Sequence, residues 1–244
     1  MSVSVLLFIA AVFVLAGFTK GVIGLGLPTI SMGLLAVMLP APEAAALLIL
    51  PSLVTNVWQM LDGPHLGPVL RRLWPLSVGT CLGTWAGAAF IAGLGGPWSV
   101  VALGIALMAY AASGLAAWRL VVPPAVERWL GPLTGVITGA ITSATGVFVI
   151  PAVPYLLAIG LTKDALVQAL GLSFTISTLA LAVTLSGVFT WNLAWPSVAA
   201  VAIALAGMRL GQAVRARLDP AAFRFSFFAG LLALGACLAA RGLA

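Results

Sequence analysis

The chain has 244 residues, of which 63% are hydrophobic and only 7% charged, and its mean hydropathy is +1.22. A soluble domain carries roughly a quarter charged residues, so 11 basic and 5 acidic side chains exclude a water-covered globule. The net charge of +6 is spread over short connections between apolar runs, where the orientation signals of a membrane protein sit, and it does not form a nucleic-acid surface.

In chain order, an apolar run over 2–19 comes first, then a glycine-rich break over 20–28 and a short helix over 29–39. No basic region precedes the first run, so it is expected to be structural rather than a cleaved signal. Apolar helices follow at about 43–61, 72–92 and 98–118, each long enough for a hydrocarbon core of roughly 30 Å. The pattern then returns: an arm over 130–142, a break over 143–146, a segment over 147–159, and helices at about 163–185, 194–214 and 222–241. No soluble domain is expected at either end. Cys81 and Cys237 lie in apolar runs without metal-ligand spacing and are expected to be small core residues.

The halves, 1–120 and 121–244, align with an offset of about 118 to 124 residues. Gly17-x-x-x-Gly21 matches Gly135-x-x-x-Gly139, Trp74-Pro75 matches Trp195-Pro196, and Thr55 falls opposite Thr175. The order of the matches is preserved, which points to internal duplication.

Charge decides how the broken elements sit. If each crossed the membrane once, Arg71, Arg72, Arg119 and Arg128 would lie on one side and Lys163, Arg215, Arg217 and Arg224 on the other. If each folds back as a hairpin, all of these share one side, with Arg209 near the same end and Arg241 opposite. Cytoplasmic connections are enriched in Lys and Arg, so the hairpin arrangement is expected. Each half is then a hairpin plus three crossings. An odd number of crossings inverts the second half relative to the first and puts both termini outside. The fold class expected is an all-α polytopic membrane protein of two inverted repeats, each a glycine-tipped hairpin followed by three helices. Inverted repeats are a recurrent transporter plan with a site near the midplane. Trp74, Trp98, Trp118, Trp129, Trp191 and Trp195 fall near helix ends, as interfacial anchors do.

The tips carry a recognisable pattern. Gly17-Phe-Thr-Lys-Gly21-Val-Ile-Gly24-Leu-Gly26-Leu-Pro28, its degenerate copy from Gly135 through Gly139 and Gly146 to Pro151, and the ending Gly207-Met-Arg-Leu-Gly211…Leu218-Asp-Pro220 resemble the sulfite exporter TauE/SafE family over essentially the full chain. The second hairpin departs from the family pattern at Ala144 and Thr145, where a glycine run is absent. The resemblance implies a secondary transporter of the cytoplasmic membrane that moves sulfur-containing anions such as sulfite or organosulfonates.

Lys20 is the most informative residue. Mid-membrane lysine costs about 2.5–3.5 kcal/mol on insertion scales. It is either an electrostatic anchor for an anion or, on an arm of about 18 residues spanning about 27 Å, a side chain that snorkels to the interface. Gly21, Gly24 and Gly26 let the backbone approach a ligand, and the helix starting near Pro28 and Thr29 offers free N–H groups to an anion. Thr145 and Gly146 do the same from the second tip, beside Thr142 and Ser143. Ser52, Thr55 and Asn56 after Pro51, and Ser173 and Thr175 after Gly171, supply donors suited to the oxygens of a sulfite or sulfonate group. Gln168 is a weaker candidate, and Ser177 is read as interhelical. Gly17, Gly135 and Gly139 are read as packing positions, and Arg209 as a snorkelling side chain.

One histidine, His65, and carboxylates placed near helix ends leave no metal site, proton relay or enzymatic cluster to build from, and no cofactor is expected. The expected partners are a small anionic substrate, the bilayer and, in a homo-oligomer, further copies of the chain. A passive anion channel and an uptake permease for a related organic anion are the rival functions.

Overall fold

The computed structural model describes residues 2–91, 97–116, 120–187 and 191–243; Trp118 and Arg119 lie outside them. Among the described residues all regular structure is helical. The helices are α1 (Val3–Ile23), α2 (Leu27–Leu35), α3 (Ala41–Leu61), α4 (Leu66–Ile91), α5 (Pro97–Ala116), α6 (Pro124–Thr145), α7 (Ala152–Ala158), α8 (Lys163–Thr184), α9 (Trp191–Val214) and α10 (Pro220–Leu243), with a 3-10 turn at Arg215–Arg217. Six of them, α1, α3, α5, α8, α9 and α10, are long and apolar enough to cross a bilayer. This is a multi-pass membrane protein. The six include α1, expected as a hairpin arm, and omit α4, expected as a crossing; α4 starts earlier than expected and carries Arg71 and Arg72 in its first turns.

The first break is narrower than expected, because positive-φ glycines bound it, whereas the second falls later than expected, between α6 and the start of α7 at Ala152. Lys20 and Gly21 belong to the last turns of α1. The chain leaves the helix at Gly24, with φ 78° and its N–H donating to the Lys20 carbonyl at 2.8 Å, and it enters α2 through Gly26 at φ 106°. A side chain on either residue would be strained in that left-handed region. Likewise α6 continues through Ser143 and stops at Gly146, φ 68°.

After the first break α2 turns back along α1: Leu15 and Thr19 share a cleft with Ile30 and Leu34. α1 runs beside α9 in the same direction, Gly17 against Ala204 and Gly21 against Met208. α6 runs beside α4 in the same way, Gly135 against Leu76 and Gly139 against Thr80. At each of these glycines an added Cβ would lie 2.2 Å from a backbone oxygen, so only a hydrogen fits. Apolar side chains gain little from leaving lipid, and close backbone approach supplies the attraction instead. α5 and α10 run antiparallel, Gly104 by Ala239 and Gly114 by Phe228, and α3 meets α8 where Gly171 touches the Met60 backbone. Exchanging α1–α5 with α6–α10 turns the α1–α9 pair into α6–α4 and leaves α3–α8 and α5–α10 paired.

The two ends of the bundle differ in charge. At one end Arg72 forms two hydrogen bonds to Glu127, at 2.7 and 2.8 Å, and a third to the Ile159 carbonyl, tying α4 to α6 and to the end of α7. Arg71, Arg128, Lys163, Arg215, Arg217 and Arg224 sit on helix termini at that end. At the other end Arg241 donates to the Val37 carbonyl after α2. The apolar core lies between, around Phe13, Leu27, Leu47, Phe148 and Phe174.

Candidate functional site

Lys20 lies one turn before the Gly24 cap, on the face of α1 turned toward α3. It is only 4% exposed. Its Nζ donates to Asn56 Oδ1 and, at 3.2 Å, to Thr55 Oγ1. The amine is therefore directed into the bundle, and the snorkelling alternative is set aside. Among the described residues no carboxylate accompanies it, and the ion pair is Arg72 with Glu127, at the bundle end.

α3 is built to accept this amine. Pro51 lies inside the helix, and because proline has no N–H, the Leu47 carbonyl loses its usual partner. One turn on, the Thr55 hydroxyl donates to the Pro51 carbonyl at 2.8 Å. Its proton is thus committed backward, which leaves a lone pair for the lysine. Asn56 presents its oxygen to Lys20, since an ammonium group offers only donors, and its Nδ2 finds no hydrogen-bond partner among the described residues. Ser52, fully buried, also has an unpartnered hydroxyl.

Gln59 was missed by the sequence reading. Its Nε2 donates to the Gly24 carbonyl at 3.3 Å and to the Val167 carbonyl at 3.2 Å, while its Oε1 has no partner. It thereby hooks the first hairpin tip to α3 and α8. The signal was present: Ser52, Asn56 and Gln59 are spaced four and then three residues apart, one stripe of a helix. Gln59 lies in the last turn of α3, so the first tip sits toward the Arg72 end of the bundle. A buried polar atom without a partner costs about 1–3 kcal/mol. Ser52 Oγ, Asn56 Nδ2 and Gln59 Oε1 together make this stripe a place where a polar ligand gains hydrogen bonds.

The second tip is satisfied within itself. Thr142 donates to the Thr138 carbonyl, Ser143 to Ala140 and Thr145 to Ile141, at 2.7–2.8 Å, and Thr145 Oγ1 accepts from Val147 N–H at 3.1 Å. Ser143 faces α4 at Gly87, and Gly146 packs on Met32 of α2. No hydrogen bond among the described residues joins these groups to Lys20. Thr29 donates its hydroxyl back to the Gly26 carbonyl at 3.0 Å, and Gly21 is a packing position against α9. On α8, Thr175 bonds back to Gly171, while the buried Ser173 and Ser177 hydroxyls lack partners. Gln168 closes the turn after α3 through Met60, Gly63 and His65, a structural clasp. Arg209 stacks on Trp58, 5.1 Å from its ring centre. Among the described residues no group of three potential metal ligands comes together.

A family model described as sulfite exporter TauE/SafE matches residues 9–238. No curated protein and no solved structure gives a match. The match covers nearly the whole chain, including the helices that carry Lys20, Asn56 and Gln59. The chain belongs to the sulfite exporter TauE/SafE family.

Proposed function

We propose that the protein is a secondary transporter of the cell membrane that exports small sulfur-containing anions, sulfite or an organosulfonate, by alternating access. The observation that carries this is the enclosure of Lys20 with Asn56 and Thr55 as its partners among the described residues. A buried cation compensated by neutral dipoles alone is poorly stabilised, so an arriving anion gains a full charge interaction there. Ser52 and the free Asn56 Nδ2 stand ready to donate to its oxygens. Thr142, Ser143, Thr145, Ser173 and Thr175 of the second half, with Thr29 beside the first tip, are assigned to the rest of the pathway, which would be exposed as the halves move.

The exchange symmetry of the helix pairs supports reading the halves as inverted repeats, the plan in which one repeat rocks against the other. The concentration of basic residues at the Arg72 end supports placing that end in the cytoplasm, with both termini outside.

Purified protein reconstituted in vesicles tests this. Lys20→Ala and Asn56→Ala should each abolish sulfite and sulfonate flux while the protein stays folded; undiminished flux in both variants refutes the site. Counterflow driven by an opposing substrate gradient separates a carrier from a passive channel, because an open pore does not show it.

A further inference from the structure

At the Arg72 end the first tip forms one wall of a second space, a cavity of about 530 Å³. None of the Lys20 partners lines it. Its walls come from Leu25 at the tip, Tyr110 and Ser113 of α5, Leu157 of α7, and Arg224 and Phe228 of α10. The volume falls within the range of about 300–1,000 Å³ typical of small-molecule sites.

We propose that this cavity is a separate binding site for an organic monoanion with an apolar body of aryl size, its acidic head on Arg224. Three observations carry this. Arg224 is the only charged residue in the lining, it is exposed, and no hydrogen bond or ion pair holds it among the described residues. Tyr110 is 2% exposed, yet its hydroxyl has no partner. Its ring packs edge-on against Phe227 and Phe228, at 6.5 and 5.2 Å between centres, which fixes the residue in the cavity wall. The rest of the lining is mostly apolar. Ser113 spends its proton on the Tyr110 carbonyl.

The site thus offers one cation, one free phenol and an apolar wall. One cation with no second charge suits a monoanion better than a dianion. An inorganic anion would leave the apolar walls uncovered, whereas an aryl group would bury them at about 25 cal/mol per Å². An occupant would also bear on the tip, because Ile23 and Leu25 line the cavity and flank Gly24, whose carbonyl Gln59 holds. The proposal stands whether or not Lys20 binds the transported anion.

An anionic lipid headgroup shares this chemistry, so the experiment separates the two sources. Radiolabelled benzenesulfonate is bound to the full chain in nanodiscs of zwitterionic phosphatidylcholine. Saturable binding is expected. Arg224→Gln should weaken it by about tenfold or more, the loss expected of a charge-assisted hydrogen bond, and Tyr110→Phe by about threefold. Lys20→Ala should leave the Arg224-dependent binding in place, and methanesulfonate should compete poorly for it. Absence of binding, binding that Arg224→Gln does not touch, or binding lost only with Lys20→Ala overturns the proposal. So does displacement of benzenesulfonate by phosphatidylglycerol with the same Arg224 dependence, which would make this a lipid site. Unchanged melting of both variants, which alter an exposed side chain and a single hydroxyl, excludes misfolding as the cause.

Discussion

Lys20 and Asn56 meet across α1 and α3 so that the amine takes the amide oxygen and leaves the amide nitrogen facing no acceptor. The pair is half satisfied: the lysine has neutral partners, and the asparagine keeps a donor in reserve. Replacing Asn56 with Asp, nearly isosteric, would supply the missing negative charge from the protein itself. Asn56→Asp is expected to melt no lower than the parent and to lose anion flux almost completely. Asn56→Ala is expected to lose flux and also to melt lower, because it strips a buried charge of a partner. Thermal melts alongside vesicle flux read both. Full flux in Asn56→Asp would show that the lysine is not the anion's counter-charge.

Gln59 joins the first tip to α3 and α8 through two carbonyls. Gln59→Leu keeps the volume and removes both bonds. Releasing buried carbonyls costs about 1–3 kcal/mol each, and the tip should pay most of it by opening. Hydrogen exchange at residues 22–27 is expected to quicken, with the α4–α6 interface unchanged. Unaltered exchange at the tip would show that the glycine turn holds itself.

Glycine packing gives a sharp contrast between two helical positions. Gly139→Ala would push a methyl to 2.2 Å from the Thr80 backbone oxygen and is expected to cost about 1–3 kcal/mol, read as a lowered melting temperature. Gly230 of α10 has open space around it. There Gly230→Ala is expected to be neutral or to stabilise by up to about 1 kcal/mol, the helix-propensity gain.

Arg72 binds Glu127 through two nitrogens and the Ile159 carbonyl through one of them. Arg72 is partly exposed, so the ion pair itself should contribute only about 0.5–1 kcal/mol. Glu127→Gln is expected to cause a small, salt-sensitive loss. Arg72→Ala should lose more, because it also frees the end of α7. A double-mutant cycle on thermal or denaturant unfolding separates the two parts.

The hairpin arrangement makes a prediction about sidedness. With the native cysteines replaced, Ser2→Cys and Met38→Cys should both react with an impermeant thiol reagent added to intact cells. Lys163→Cys should react only after permeabilisation. Met38 is 51% exposed, so access is not limited by packing. Opposite behaviour of the Ser2 and Met38 positions would mean that the first broken element crosses the membrane.

Much of this protein was legible in its sequence. Composition placed it in a bilayer, because too few charges exist to cover a surface with water. The glycine breaks and the return of the pattern located the long helices to within a few residues, apart from the early starts of α4 and α6. There the chain continues as helix through Arg71, Arg72, Glu127 and Arg128, since charge marks a membrane boundary and not a helix end. Charge counting drew the basic termini to one end, which is where the structure gathers the described ones. Lys20, Thr55 and Asn56 were named together.

Tertiary structure decided what the hydroxyls and glycines do. A threonine in a helix can turn its proton to its own backbone or outward, and that choice depends on what packs against it. Thr142 and Thr145 spend theirs on their own helix, whereas Thr55 gives its proton to Pro51 and its lone pair to Lys20. Gly21 and Gly24 look alike in sequence, yet one is pressed against α9 and the other turns the chain. The depth of Lys20 likewise could not come from the length of its arm. Lipid exposure and burial within protein look the same in an apolar sequence, and only the neighbour an amine actually meets tells them apart.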